Sequence, residues 1–200
     1  MDNYVFLNGV IYDLVARETA GIATTADGTK LSEIPEGDTF KIGKYEFVVL
    51  EHSKETTAVI LKGLLIEKKQ FGNNNNFAGS YVDKECQKLG DEIADIVGSE
   101  NLVEHTVDLT SDNGLKDYGK ARRKISLLTA ELYRRYVYIL DKFKPEKWWW
   151  LATAYSTKTH GDVSWVKCVS PSGDICYYSY DYYYGVRPFC ILNSSIFVSK

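Results

Sequence analysis

The stretch that most restricts what this chain can fold into is CYYSYDYYYGVRP, Cys176 to Pro188, with six tyrosines in the eight positions from Tyr177 to Tyr184. Aromatic residues favour the pleated, half-buried surface of a strand, and Gly185 and Pro188 punctuate any longer regular element. The segment therefore reads as sheet. VSWVKCV before it and ICYYSY within it form a hairpin across the turn SPSGD, built on Pro171 and Gly173, and RPFCILN follows as a further strand. Strand alternation predicts Tyr178 and Tyr180 on one face and Tyr177 on the other, with Asp181 to Tyr184 as a loop before Gly185.

The rest of the chain supplies what this sheet packs against. YVFLNGVIYDL places two apolar runs around Asn8-Gly9, whose residues accept the positive φ angles of a two-residue turn, so a hairpin is expected from about Tyr4 to Leu14. A Gly/Thr/Ala/Asp stretch follows from Thr19 to Lys30, with a turn at Asp27-Gly28. IPEGD, Ile34 to Asp38, reads as a boundary, which divides the chain into a β appendage at 1–36 and a main domain at 37–200. A meander is predicted next, with strands Thr39–Ile42, Tyr45–Glu51 and Thr57–Leu61. GNNNN, Gly72 to Asn76, is a polar loop.

Ser80 and Asp83 resemble a capping box, and Val82, Cys86, Leu89, Ile93, Ile96 and Val97 then recur at helical spacing until Gly98. A polar segment runs from Ser99 to Gly119 with a turn at Asp112-Asn113-Gly114, and KISLL is a short strand. Thr129 can cap a second helix, with Leu132, Tyr133, Tyr136, Val137, Leu140 and Phe143 on one face and Pro145 at its end. Strands, helix, polar segment, helix and hairpins in that order make an α+β domain with mixed or antiparallel sheets and two main helices.

The formal net charge of −3 gives no excess of cations to face phosphates, so nucleic acid is a disfavoured partner. No apolar run is long enough to cross a bilayer, and MDNYVFLNGVIYDLVARE lacks a basic leader and cleavage site, so neither membrane insertion nor signal-directed secretion is expected. The four cysteines, Cys86, Cys168, Cys176 and Cys190, form no CxxC pair and sit among apolar residues, where reduced core thiols are expected.

KISLLTAELY, then WWWLAT, then VSWVKCVSPSGDICYYSYDYYYGVRPFCIL form a recognisable series. The series resembles a domain family of unknown function found in phages and gut Firmicutes. Its members close with Trp-Trp-Leu, a Ser/Asp-Gly turn, a tyrosine-rich stretch and Gly-Val-Arg-Pro. Those features fall here on Trp149-Trp150-Leu151, Ser172-Gly173, Tyr177–Tyr184 and Gly185-Val186-Arg187-Pro188, and GDTFKIGKYEFVVL is similar to the family's opening hairpin. WWWLATAYS departs from it, lacking the usual Arg-Ser-Pro. The resemblance spans about Gly37 to Ile196 and implies a C-type-lectin-like fold, the scaffold shared with formylglycine-generating enzymes. It also implies a phage or prophage context, in the cytoplasm of a bacterial host or in a virion. One scaffold hosts many functions, so the site must carry the function.

The candidate partner-binding residues are Tyr178, Tyr180, Asp181, Tyr182, Tyr183 and Tyr184. Tyrosine interspersed with Ser and Asp has the composition of a paratope, giving rigid contact area with adaptable hydrogen bonds. The alternative is that the rings pave a sheet against Trp148–Trp150. Arg187 reads as buried, paired to a carboxylate or stacked on a ring. The three tryptophans read as packing, and Trp165 is expected to face the same interior. His160, Cys168, Cys176 and Cys190 are zinc-ligand types at spacings that match no zinc signature, and Asp162, Asp174 and Asp181 are scattered, so no metal or other cofactor is assigned. KDYGKARRK, Lys116 to Lys124, with Arg134 and Arg135 reads as a solvated basic face. No motif places a base beside a nucleophile, and the expectation is a non-catalytic module. It would bind a protein or a cell-surface glycan, as a virion-associated or receptor-binding accessory, and a homo-oligomer is compatible with this. Two alternatives stand beside it: a small phage-encoded inhibitor of a host defence protein, similar to an anti-CRISPR, and an oxidase of the formylglycine-generating type that would require Cys168 or Cys176.

Overall fold

The computed structural model describes residues 28–200 and, before them, two strands. The strands are β1 (Tyr4–Leu7) and β2 (Val10–Asp13), antiparallel with Leu7 opposite Val10. The expected Asn8-Gly9 turn, and most of the Thr19 to Lys30 stretch, lie outside the described residues. The chain continues through β3 (Thr29–Lys30), β4 (Thr39–Ile42), β5 (Tyr45–His52), β6 (Thr56–Leu61) and β7 (Ile66–Gln70) to helix α1 (Tyr81–Val97). After it come β8 (Leu102–Val103), β9 (His105–Asp108), β10 (Lys120–Arg123), β11 (Ile125–Leu127) and helix α2 (Ala130–Leu140). The last part holds β12 (Trp149–Ala154), β13 (Trp165–Val169), β14 (Ile175–Ser179), β15 (Tyr183–Val186), β16 (Pro188–Asn193) and β17 (Phe197–Val198). The fold class is α+β, as expected.

Two sheets dominate. One runs β11-β16-β6-β5-β4, with β8 also on β16, and the other runs β14-β13-β12-β15-β7. Alternation along the strands gives two apolar cores. Phe47, Val49, Val59, Leu61 and Leu192 join Val82, Cys86, Leu89 and Ile93 of α1 in one core. Val48, Leu50, Ile60 and Phe189 join Tyr133, Tyr136 and Leu140 of α2 in the other. The β12 strand links them: Trp150 and Ala152 belong to the first core, Trp149 and Leu151 to the second. Leu31 and Ile34 are also buried in the first core, and β3 pairs with β17, so part of the segment ahead of Gly37 packs into the main body.

The helix boundaries follow local chemistry. The Ser80 hydroxyl accepts from the Asp83 N–H at 3.1 Å and the Asp83 carboxylate accepts from the Gly79 N–H at 2.8 Å, so one N-terminal donor of α1 and the N–H just ahead of its cap are satisfied. Gly98 ends the helix at φ +88°, a conformation that side-chain-bearing residues rarely adopt. Thr129 caps α2 by accepting from the Leu132 N–H at 3.2 Å. Two expectations need correction. Ile96 is 40% exposed at the margin of the α1 stripe, beside Gly43, because Ala94 and Val97 take the inward positions of the last turn. The polar segment from Ser99 contains β8 and β9, since β16 and β10 offer edges for them to pair with.

Candidate functional site

The tyrosine segment forms β14, a turn and β15, at one end of the five-stranded sheet. The β13–β14 hairpin pairs Val166 with Tyr178, Lys167 with Tyr177 and Cys168 with Cys176. Tyr177 thus shares a face with Lys167, and Tyr178 shares the opposite face with Val166 and the cysteines. The loop expected at Asp181 to Tyr184 is shorter: Tyr183 and Tyr184 open β15, drawn into the sheet by pairing with Gln70 and Lys69 of β7.

The predicted residues divide by depth. Tyr178, Tyr180 and Tyr184 are half-buried and pack on the first core. Tyr184 stacks on Trp148 at 5.5 Å and meets Trp150 at 4.8 Å, while Tyr178 stands edge-on to Trp148 at 5.3 Å. Burial pushes the Tyr184 hydroxyl well above the usual tyrosine range. Asp181, Tyr182 and Tyr183 are exposed, Tyr182 by 52% and Tyr183 by 60%, although the Tyr182 ring still leans on Tyr178 at 5.2 Å.

A second aromatic group lies on the other face, built from residues outside that predicted set. Tyr155 stacks on Tyr177 at 4.6 Å, and Trp165 meets Tyr177 edge-on at 5.8 Å. All three rings are exposed, by 37% to 48%. Beneath them Lys167 places its ammonium 5.6 Å from the Tyr177 ring and 6.0 Å from the Tyr155 ring. Lys167 is held there by Asp112 at 3.0 Å, which also receives Arg134 at 3.4 Å. Trp165 is therefore outward, not interior: Val169, at the other end of this face, is buried in the core shared with α2, while Trp165 is left 39% exposed. Lys167 itself is buried at 7% exposure, so the rings above it and not the lysine form the exposed surface of this face.

Asn75, inside the polar GNNNN loop, is fully buried. Its amide donates to the carbonyls of Ser156 at 3.0 Å and Trp165 at 3.1 Å, and its oxygen accepts from the Tyr118 hydroxyl at 2.6 Å. It ties the loop to the Trp165 end of the aromatic face. Composition gave no hint of this.

The other sequence candidates resolve as structural groups. Arg187 is 1% exposed, lies 5.2 Å from the Trp149 ring, and donates to the carbonyls of Leu61 and Lys62, each at 2.9 Å. Burial lowers it to about 10. The basic run is matched by carboxylates: Arg122 with Glu104 at 2.7 Å, Arg123 with Asp83 at 2.6 Å and Arg135 with Glu51 at 3.0 Å. Cys168 and Cys176 stand opposite each other on β13 and β14, and burial, with Cys176 adding to it, pushes the Cys168 thiol up to about 12. Among the described residues no group of three or more His, Cys, Asp or Glu side chains is gathered as a metal site. No described helix is long and apolar enough to cross a membrane.

Comparison with protein-family models, with curated proteins and with solved structures finds no match.

Proposed function

We propose that this chain is a non-catalytic binding module that grips a macromolecule through the aromatic end of its five-stranded sheet. One observation carries the reading. Tyr155, Val163, Trp165, Tyr177, Tyr182 and Tyr183, all within one stretch of the chain, expose large apolar surface on the two faces of the β13–β15 region. Exposed aromatic rings grouped on each face beside one strand mark an interaction site more often than rings scattered singly do, and tyrosine and tryptophan are the residues that dominate binding hot spots. Half-buried Tyr178 and Tyr184 stiffen the site from below, so the exposed rings lose little freedom on binding. The high thiol affinity for protons at Cys168 fits a packing role better than a nucleophile.

The scaffold reading that accompanies this is a C-type-lectin-like fold of phage or prophage origin. The two flanking helices, the closing hairpins and the pairing of β17 with β3, which brings the two ends of the main body together, support it. The partner in this reading is a host protein or cell-surface glycan, met by a virion-associated or receptor-binding accessory.

The test is capture from host cytosol and, separately, from host envelopes. Wild type is compared with a folded variant carrying Tyr177→Ser, Tyr182→Ser and Tyr183→Ser. A specific partner that is held by the wild type and lost by the variant is expected. Capture from envelopes supports the accessory reading. Capture of one cytosolic protein in equal amounts moves the function to an inhibitor of host defence. A variant that captures the same partner equally well sinks the aromatic site.

A further inference from the structure

We propose that the outer edge of β14 takes up an extended, basic segment of the partner as an added strand. This inference rests on the binding reading above and specifies how the partner is held.

Among the described residues β14 pairs only with β13 and forms one edge of its sheet. The ladder phase shows which backbone groups are used. The Asp174 carbonyl accepts from the Ser170 N–H at 2.9 Å, and the Tyr180 N–H donates to the Ser164 carbonyl at 2.8 Å. Even-numbered residues of β14 therefore point their N–H and C=O groups at β13, and Ile175, Tyr177 and Ser179 point theirs outward. The Ser179 carbonyl accepts from the Tyr182 N–H at 3.0 Å. Among the described residues, nothing pairs with the backbone groups of Ile175 or Tyr177.

Sheet edges are usually guarded by charges, by proline or by a covering segment. The opposite edge of the same sheet follows that pattern. The β7 strand reads IEKKQ, and its Lys69 is paired with Glu85 of α1 at 2.7 Å. The β4 edge of the other sheet is closed by Ser199, which exchanges hydrogen bonds with Lys41 at 2.7 Å and 3.4 Å. The β14 strand reads ICYYS and carries neither charge nor proline.

Charge selects the occupant. Residues 168–186 contain no lysine or arginine, the neighbouring Lys144 and Lys167 are already paired with Asp141 and Asp112, and exposed Asp174 and Asp181 bracket the strand. Neither makes an ion pair among the described residues. An extended segment with lysine or arginine near its ends gains attraction at both, and an acidic one is repelled. Its alternate side chains would meet Tyr177 on one face and Tyr178 and Tyr182 on the other, which is how strand addition combines main-chain affinity with side-chain choice.

The probe is a random library of about ten-residue peptides selected on the full-length protein, with affinities then read by fluorescence anisotropy. Basic peptides are expected. Tyr177→Ala keeps the outward N–H and should weaken them about tenfold, whereas Tyr177→Pro removes the N–H without breaking a ladder bond and should weaken them at least about a hundredfold. Slowed hydrogen exchange at the Ile175 and Tyr177 amides of the wild type, on adding peptide, is the second readout and needs no variant. An empty selection, peptides without basic residues, equal losses in the two variants, or unchanged exchange overturns strand addition. So does a dimer that protects the same amides without peptide, which would seat a second copy there. If Tyr177→Pro keeps the captured macromolecule while Tyr182→Ser with Tyr183→Ser loses it, strand addition alone fails; if both keep it, the aromatic site fails too.

Discussion

Arg123 and Asp83 meet through two hydrogen bonds, Nε to Oδ1 at 2.8 Å and Nη2 to Oδ2 at 2.6 Å, beside the N-terminus of α1. The Asp83 side chain is 3% exposed, and it also receives the Gly79 N–H and the Gln87 amide. One carboxylate thus joins the helix cap to β10. Removing only its cation strands a buried charge, so Arg123→Ala is expected to cost about 3–5 kcal/mol. Arg122→Ala, which breaks the exposed pair with Glu104, is expected to cost under about 1 kcal/mol. Urea unfolding midpoints of the two variants check the contrast.

His105 sets an acid limit. Its Nε2 lies 2.9 Å from the Ser126 hydroxyl, its Nδ1 is buried with no hydrogen-bond partner among the described residues, and burial lowers the ring to about 4. In the unfolded chain an ordinary histidine binds its proton near pH 6.5. Between those values the unfolded state carries a proton that the folded state does not, so stability is full above about pH 6.5 and falls as the pH drops towards 4. The lowered carboxylates, such as Glu85 and Asp108, lose their contribution only further down. His105→Gln is expected to flatten the upper part of this slope, which denaturant titrations at a series of pH values would show.

Arg187 closes the β6–β7 corner by binding two carbonyls while stacked on Trp149. A lysine there keeps the charge but loses the planar fork and the ring contact. Arg187→Lys is expected to cost about 2–4 kcal/mol, as unmade buried hydrogen bonds do, and to lower the melting temperature in calorimetry.

The tyrosines should separate sharply by depth. Tyr183→Ser removes an exposed ring and is expected to change stability by less than about 0.5 kcal/mol. Tyr184→Ser removes a ring packed on two tryptophans and is expected to cost about 3–5 kcal/mol. Thermal melts of the two variants decide it, and equal values would contradict the division between support and contact surface.

Thiol labelling tests the cysteine environment. Cys86, Cys168 and Cys190 are buried, and burial holds all three thiols above their ordinary range. Iodoacetamide at neutral pH is expected to leave them unmodified in the folded protein and to modify them in urea, read by intact mass. Rapid native labelling of Cys168 would point to a reactive thiol and reopen the oxidase reading.

Much of the local structure was legible. The strand Thr39–Ile42 matches residue for residue, the Ser80 and Thr129 hydroxyls cap the starts of their helices, and Gly98 ends α1 at a positive φ. The apolar faces of both helices were readable from spacing, apart from Ile96. The candidate site was half legible. Its strand and its tyrosines were visible, but the exposure of Tyr155 and Trp165 was not, because it depends on how far the core shared with α2 extends along the sheet.

Residue types and spacing alone determined where elements begin and end, since capping, turn chemistry and alternation act within a few residues. Tertiary structure decided partners. β16 enters between β11 and β6, pairing Asn193 with Thr56, and β15 lies parallel to β12 with Gly185 beside Trp149. Asn75 is buried in a loop of asparagines because two carbonyls and a tyrosine hydroxyl meet there. The basic run is neutralised by carboxylates as distant in sequence as Glu51. Such choices depend on the free energy of contacts between segments far apart along the chain, where many pairings satisfy the same local pattern and only the assembled packing distinguishes them.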